Sequence, residues 1–495
     1  MHLRPLPTVI ACGVLAVGLM AIPVRAGVGS SWTTEQQLWS TSSSATQVAV
    51  ATSGNGQKST VIAGGKFSDW TGQSWAKGKK FPQADEMDNP DIQWDWKGKR
   101  TLATWDGEDN EGVADLYRAT RTNGGAWATQ MYGTGAGEAR LALRDKLAVS
   151  AWYNMESDFG TTDAVNVATW DGNWSAATNL TLPAGDLPSV GSPRVAVDGV
   201  SGTAVVVWQQ GPALQVSFWD GADWSAPVSG APGRVPLAVQ LDESGVAAIV
   251  TARETAPQQQ AIEVVRTDQV GPLQLPVTPL GNTTAATPSL VTADLSTDGT
   301  VGLVQYDDAS SSTAVVGTWS ATAPYALRNW GDANVDADLA AAGTAALVTL
   351  MPSPNSSSGK KVRTSFWKGS SWSGLKQVGS CKDKQVAAGV APQGDVMTAA
   401  WACGHIHATR SPKVPGAIKN LSGKIKGGKA TITWKAASNS LNYGYKIKGP
   451  KVNAQWLTVD DPKVSVPVKK GADYKVSVRG QNAGGVGPVA TTKIS

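Results

Sequence analysis

The amino-acid sequence predicts an all-β chain with at least two domains. Its 495 residues exceed what a single hydrophobic core usually serves. The 54 glycines and 21 tryptophans indicate many tight turns with aromatic packing between short strands. A tryptophan-containing motif also recurs at intervals of about 50 residues, a period typical of repeated β-sheets.

Residues 1–26 have the features of a secretory signal peptide. A basic start at Arg4 precedes an apolar run from Val9 to Val24, and a small-residue cleavage site ends at Ala26. We expect cleavage after Ala26 and an extracellular protein, since no later segment is long and apolar enough to span a bilayer. An uncleaved membrane anchor is the alternative.

The two cysteines that follow the signal peptide are predicted to form a disulfide. Cys381 and Cys403 are an even pair in a chain bound for an oxidising compartment. Their midpoint, Pro392, lies in a turn between two strand-like runs, which places them opposite each other across a hairpin. Such a bond should contribute about 3 kcal/mol by the chain-entropy estimate. Two free buried thiols are the alternative.

The repeat is marked by the motif Trp-x-Gly-x-Trp-Ser. Clear copies begin at Trp70, Trp170, Trp219 and Trp367, and a weaker copy ends at Trp127. In chain order, the second tryptophans of the first four copies are Trp75, Trp127, Trp174 and Trp224, which are 47 to 52 residues apart. The gap from Trp224 to the last copy, at Trp372, is 148 residues. Because that gap is three periods, two degenerate copies are expected between Trp224 and Trp372.

Each repeat contains four strand-like segments. An apolar strand, an Asp/Gly turn and a second apolar strand precede the motif, most clearly in Val195–Trp208. Short β-rich runs broken by Asp-Gly and Gly-Asn turns are hairpin signals. The order is strand A, tight turn, strand B, variable loop, strand C, tryptophan hairpin and strand D, which is the organisation of a β-propeller blade.

The count of repeats predicts a ring closed by the N-terminus. Seven complete copies run from Gln47 to near Gly379, and Gln385–Arg410 supplies only three further strands. Ser31–Trp39 resembles the D strand of another repeat, so it is expected to complete the last blade and remove exposed sheet edges. The prediction is a β-propeller over residues 27–410, with eight blades, seven being the alternative.

The repeat resembles the Trp-rich propellers common in secreted bacterial proteins, including non-catalytic lectin-like and sialidase-like ones. The resemblance covers roughly residues 31–410. It implies a fold much better than a function, because propellers host many unrelated activities.

After a linker at residues 411–415, residues 416–495 lack the repeat. Ala430–Trp434 forms a strand pattern with a core tryptophan, and Tyr474 stands at a tyrosine-corner position. These residues resemble a fibronectin type III domain. The resemblance implies a β-sandwich of the kind that serves as a spacer or accessory module in secreted carbohydrate-active proteins.

The two parts of the chain carry opposite charge. Residues 411–495 contain 15 Lys and Arg against 3 Asp and Glu, whereas residues 27–410 contain 26 against 36. A strongly basic small domain predicts contact with an anionic surface polymer such as teichoic acid, acidic polysaccharide or lipid headgroups. A merely solubilising surface is the alternative, and the sequence carries no specific nucleic-acid signature.

Candidate ligand-binding residues lie on the propeller face that carries the loops from B to C and from D to A. Three consecutive loops of this class are acidic, the first being Asp85–Asp91. The acidic candidates in the other two are Asp106, Glu108, Asp109, Glu156 and Asp158. Oxygen-rich loops can bind Ca²⁺, although the EF-hand pattern is missing. No other cofactor is expected.

Aromatic residues at the ends of B strands are expected on the same face. They are Trp105, Trp152, Trp208, Tyr306 and Trp401. Aromatic rings beside carboxylates are a common way to hold sugars. Core packing between blades is the alternative explanation for the same residues.

No catalytic constellation is found. Only His405 and His407 follow the signal peptide, and no Gly-x-Ser-x-Gly elbow accompanies them. The sequence therefore predicts a secreted, non-enzymatic protein that binds a glycan or cell-surface polymer. An extracellular carbohydrate-active hydrolase or lyase using loop carboxylates is the first alternative, and a structural surface protein is the second.

Overall fold

The computed structural model describes residues 31–495 except for short segments. The segments left out are 42–46, 83–86, 109–113, 135, 155–163, 182–189, 269–276, 288–290, 309–312, 321–323, 354–359, 368, 382–384, 451, 453 and 483–484. The predicted signal peptide, residues 1–26, lies outside the described residues. Those that are described form strands and turns and contain no helix.

From the N-terminus to Ser411, the described residues form eight four-stranded antiparallel sheets, named blades one to eight in chain order. Strand β1 (Gln36–Ser40) comes first along the chain but belongs to blade eight. Blades one to four contain β2 (Val48–Thr52), β3 (Ser59–Ala63), β4 (Lys66–Asp69), β5 (Lys79–Lys80); β6 (Asp88–Trp94), β7 (Arg100–Glu108), β8 (Ala114–Thr122), β9 (Ala128–Thr134); β10 (Ala136–Arg144), β11 (Leu147–Asn154), β12 (Ala164–Trp170), β13 (Thr178–Asn179); and β14 (Arg194–Asp198), β15 (Thr203–Gln210), β16 (Ala213–Trp219), β17 (Val228–Gly230).

The remaining blades follow the same order. Blades five to eight contain β18 (Val235–Leu241), β19 (Ala247–Ala256), β20 (Gln259–Thr267), β21 (Val277–Thr283); β22 (Thr292–Leu295), β23 (Gly302–Asp307), β24 (Ala314–Trp319), β25 (Ala326–Asn329); β26 (Ala333–Leu339), β27 (Ala346–Pro352), β28 (Lys361–Trp367), β29 (Lys376–Ser380); and β30 (Val386–Val390), β31 (Met397–Ala402), β32 (His405–Ser411) with β1. In blades one to seven, the four strands pair in the order of the chain.

The blades form a closed ring. The first strand of each blade contacts the first strand of the next, from β2 and β6 through to β26 and β30, and β30 contacts β2 again. Hydrophobic clusters fill the spaces between successive blades, because both faces of each sheet meet a neighbour. The predicted all-β class and the predicted propeller are therefore confirmed.

The N-terminal strand completes blade eight. Strand β1 pairs antiparallel with β32, and just before it the backbone N–H of Thr33 donates to the Arg410 carbonyl oxygen at 2.8 Å. Cys381 and Cys403 form a disulfide with their Cα atoms 5.9 Å apart. This bond joins the connection between β29 and β30 to the end of β31, so it ties blade seven to blade eight.

The tryptophan motif forms the predicted hairpins. Trp70 and Trp75 form an antiparallel bridge with ring centroids 5.7 Å apart, and Trp219 and Trp224 repeat this arrangement. Gly72 has a φ of 97°, a left-handed conformation that a side chain would strain. The motif thus combines a glycine turn with a cross-strand aromatic pair.

From Lys419 onward the chain forms two further sheets. The first contains β33 (Lys419–Lys426), β34 (Lys429–Lys435) and β37 (Lys463–Pro467), and the second contains β35 (Asn442–Lys448), β36 (Leu457–Val459), β38 (Tyr474–Asn482), β39 (Gly485–Val486) and β40 (Ala490–Ile494). One apolar cluster, which includes Trp434 and Tyr474, takes residues from both sheets. No helix that could cross a membrane is present in the part of the chain that the structure describes.

Candidate functional site

The five aromatic candidates are buried. Trp105, Trp208 and Trp401 have no exposed surface, and Trp152 and Tyr306 are 2% and 3% exposed. Each lies on a B strand whose two faces meet neighbouring blades; Trp105, for example, packs against Phe81, which follows blade one. None presents a free ring face to solvent on the predicted loop surface. Their positions favour the alternative in which they pack blades together.

The acidic candidates lie in a different local structure from the one predicted. Strand β6 begins at Asp88 and β7 continues to Glu108, so Asp88, Asp91 and Asp106 belong to strands rather than to loops. Asp106 is only 7% exposed and accepts a hydrogen bond from Nδ2 of Asn89 at 2.8 Å. The loop prediction was wrong here because β7 continues through Gly107.

The other acidic candidates fall outside the described part. This applies to the side chain of Glu108 and to Asp109, Glu156 and Asp158. Among the residues that are described, no group of three or more His, Cys, Asp or Glu side chains is arranged to hold a metal ion. The acidic patch and its Ca²⁺ site therefore stay predictions.

A cleft between blades two and three brings together a different set of residues. It has a volume of about 210 Å³ and is lined by Arg118, Gln130, Tyr132, Trp152, Ser175, Ala176 and Ala177. Only Trp152 was among the sequence candidates. The cleft lies toward the outer side of the ring, because β8 and β9 are the third and fourth strands of blade two.

Strand register explains how blade two contributes to the cleft. Arg118 on β8 is directly opposite Gln130 on β9, so both side chains project from the same face. Tyr117 pairs with Met131 and Leu116 pairs with Gly133, which leaves Tyr132 as the extra residue of a β-bulge. Bulges redirect side chains, and this one brings the Tyr132 ring beside the Arg118 guanidinium.

Arg118 is the central charge of the cleft. It is 5% exposed, and its guanidinium carbon lies 4.5 Å from the ring centroid of Tyr132 and 4.3 Å from that of Trp174 in blade three. One terminal nitrogen donates to Oε1 of Gln130 at 3.3 Å. Burial lowers the pKa of Arg118 to about 10, so the side chain is still a cation at neutral pH.

Among the residues that the structure describes, no carboxylate neutralises Arg118. It takes part in no ion pair with the described residues, and its Nε has no hydrogen-bond partner among them. Tyr132 adds no negative charge, because burial raises the pKa of its phenol, whose oxygen lies 3.1 Å from Oγ of Ser150. The lining of the cleft therefore contains a buried cation in contact with two neutral aromatic rings.

Sequence reasoning missed Arg118, Tyr132 and Gln130. The one feature in the sequence that could have indicated this site is the arginine at position 118, in the interior of a strand. The sequence does not show which residues of blade three meet that position, and a β-bulge at Tyr132 cannot be read from an alternating pattern. Trp174 was recognised only as a hairpin residue.

No family model and no curated protein matches the chain. Among solved structures, the chain is similar to the Dos1 propeller, with a TM-score of 0.47 and 11% identity over 77% of this chain and 94% of that one. It is also similar to the β-propeller domain of the Trilobed protease from Pyrococcus furiosus, with a TM-score of 0.38 and 12% identity over 62% and 90% of the two chains.

A third similar structure is the GH93 α-L-arabinofuranosidase of Fusarium graminearum in complex with arabinobiose. The TM-score is 0.37 and the identity 10%, over 58% of this chain and 98% of that one. All three TM-scores lie below 0.5. The fold assignment therefore rests on the strand pairing, and no function is taken from these proteins.

Proposed function

We propose that the chain is a secreted, non-enzymatic binding protein whose propeller recognises a glycan or cell-surface polymer at the cleft between blades two and three. The observation that carries this proposal is the lining of the cleft, which combines aromatic rings with the amide of Gln130 and the guanidinium of Arg118. Apolar contact with polar orientation is how proteins hold sugars. A volume of about 210 Å³ suits a terminal sugar better than a long segment.

Export is part of the same proposal. The disulfide between Cys381 and Cys403 supports it, because such bonds persist in oxidising compartments. Analysis of the culture medium should find the protein there with Gly27 at its N-terminus. Retention of the entire chain inside the cell would contradict export.

The C-terminal region is proposed to be a fibronectin type III module that acts as a tether. Two sheets around a shared core support the family assignment, as does the Tyr474 hydroxyl, which accepts from the Lys469 N–H at 2.8 Å. One face of the three-stranded sheet is basic, since none of its strands contains an acidic residue. Its exposed lysines are Lys419, Lys424, Lys426, Lys429, Lys435 and Lys463.

Glycan binding is tested with the purified chain from residue 27. We expect retention of one glycan class on an array without new reducing ends or unsaturated products in solution. Trp174→Ala should abolish retention, whereas Trp224→Ala, the matching hairpin position in blade four, should not. Products would instead establish a hydrolase or lyase, and absence of both binding and products would favour a structural surface protein.

The tether is tested separately by binding to teichoic acid and heparin. Replacing Lys424, Lys426 and Lys429 with Glu should remove binding and its salt dependence. A matched control changes Lys448, Lys475 and Lys493 of the other sheet to Glu, with the same change in net charge. Equal loss in both triple variants would show that net charge, rather than this sheet face, is responsible.

A further inference from the structure

We propose that the cleft between blades two and three recognises a carboxylate, and that its ligand is an acidic sugar of the uronate class. This inference rests on the proposed glycan binding at the same cleft and makes it more specific. It starts from the chemistry of Arg118.

Arg118 is buried, and no carboxylate of the described part of the chain forms an ion pair with it. Charged side chains are rarely buried to this extent unless they are paired, because removing an ion from water is costly. Arg121, three residues later on β8, shows the paired arrangement: its two terminal nitrogens bind the carboxylate of Asp69 at 2.6 Å and 2.5 Å. The described residues around Arg118 provide no such carboxylate.

The donors of Arg118 are suited to a carboxylate. Ring contacts occupy the faces of a guanidinium, and its N–H groups donate in its plane. Tyr132 and Trp174 supply the ring contacts, and the Nε–H has no partner within the described structure. A planar carboxylate can accept two parallel hydrogen bonds from such an edge.

The surroundings favour a sugar as the carrier of that carboxylate. The exposed side chain of Gln130 supplies an amide at the rim, beside the small residues Ala176 and Ala177. Tyr132 is half-buried and supplies aromatic surface to the lining. These groups match the hydroxyls and the apolar face of a sugar ring.

The net charge of the propeller does not favour the binding of anions. Residues 27–410 contain 26 basic against 36 acidic residues, so the propeller as a whole repels polyanions. Recognition of an acidic sugar must therefore come from Arg118 and its neighbours. This makes the inference sensitive to single substitutions.

The probes are pairs of sugars that differ only in the carboxylate: galacturonate and galactose, glucuronate and glucose, mannuronate and mannose. We expect at least one uronate to bind the purified chain at least tenfold more tightly than its neutral partner, measured by calorimetry and by tryptophan fluorescence. Arg118→Gln should remove the preference. Arg118→Lys should weaken uronate binding severalfold, because an ammonium cannot form the bidentate contact.

Gln130→Glu is the second variant. It places a carboxylate beside Arg118 with little change in shape, so it should abolish uronate binding while the melting temperature stays at or above that of the wild type. Arg328→Gln is the matched control, since the guanidinium of Arg328 lies 4.1 Å from the ring centroid of Trp330 outside the cleft. This variant should bind like the wild type.

The outcomes separate the two proposals. Equal binding of uronates and neutral sugars, or full binding by both Arg118→Gln and Gln130→Glu, would overturn the carboxylate inference while glycan binding stands. Absence of any glycan retention would overturn both. Binding of a hexa-aspartate peptide with the same dependence on Arg118, and without uronate binding, would replace the sugar with an acidic peptide.

Discussion

Two arginines on strand β8 are buried to almost the same extent but meet different partners. Arg121 is 4% exposed, lies 4.4 Å from the ring centroid of Trp127 and binds the carboxylate of Asp69. Arg118 is 5% exposed and contacts two rings, but no carboxylate of the described residues pairs with it. One blade interface is therefore closed by an ion pair, whereas the next holds a cation that no described carboxylate pairs.

Breaking the ion pair should give the largest effect. Asp69→Asn leaves Arg121 buried without a counter-charge, so the free energy of unfolding should fall by about 3 kcal/mol. Chemical denaturation measures this change. Asp171→Asn, in the exposed tryptophan hairpin of blade three, is the control and should change stability by less than about 0.5 kcal/mol. A similarly small effect of Asp69→Asn would remove the distinction between the two arginines.

Asp294 and Asp336 are buried acidic residues that lie close to each other, and they provide the opposite case to the buried arginines. Burial and the neighbouring Asp336 raise the pKa of Asp294 to about 7, and burial raises that of Asp336 to about 6. Because these pKa values exceed those of the unfolded chain, the two groups favour folding when protonated, and this contribution is lost as pH rises from about 4 through 7.

Asp294→Asn tests this sign. The variant should be more stable than the wild type at pH 8 by at least about 1 kcal/mol, because each pKa unit by which folding raises the pKa of Asp294 corresponds to about 1.4 kcal/mol. The advantage should shrink toward pH 5. Urea unfolding of both proteins across this pH range measures the difference in their free energies of unfolding. Other titrating groups, such as His407, contribute equally to both proteins and cancel in this difference. A wild type that gains on the variant as pH rises would show that the sign is wrong.

Removing the unpaired cation should have a smaller effect than breaking the pair. Arg118→Met loses two ring contacts but also loses the cost of burying a charge, so stability should stay within about 1 kcal/mol of the wild type. Chemical denaturation of Arg118→Met and of Asp69→Asn measures both changes in the free energy of unfolding. A loss as large as that of Asp69→Asn would mean that Arg118 is a structural residue and not part of a binding site.

The smallest effect is expected when Arg118 is given an ion-pair partner like that of Arg121. Gln130→Glu gives Arg118 a carboxylate at the rim of the cleft, where an ion pair should add about 0.5 kcal/mol. Thermal unfolding at low and high salt measures the gain, which should decrease as salt rises. A loss of stability would show that the rim does not accept a negative charge.

The sequence predicted the repeats but not the cleft. Hairpin patterns persisted in the two repeats without paired tryptophans, and β20 and β24 lie there in the structure. Alternation along β8 predicts that Arg118 and Arg121 face opposite blades. It cannot predict that Asp69 meets one of them while no described carboxylate meets the other, because those contacts join distant parts of the chain.

The pairing of β1 with β32 determines when the ring can be completed. Thr33 and Thr409, which share a hydrogen bond across this pair, are separated by 376 residues. Strand β1 is synthesised before all other strands of the ring, and its partner is the last of them to be made. The outer edge of blade eight therefore closes only after the whole propeller has emerged, and chain topology makes this a slow, non-local step of folding. A polypeptide that ends before His405 lacks β32 and leaves the facing edges of β1 and β31 unpaired.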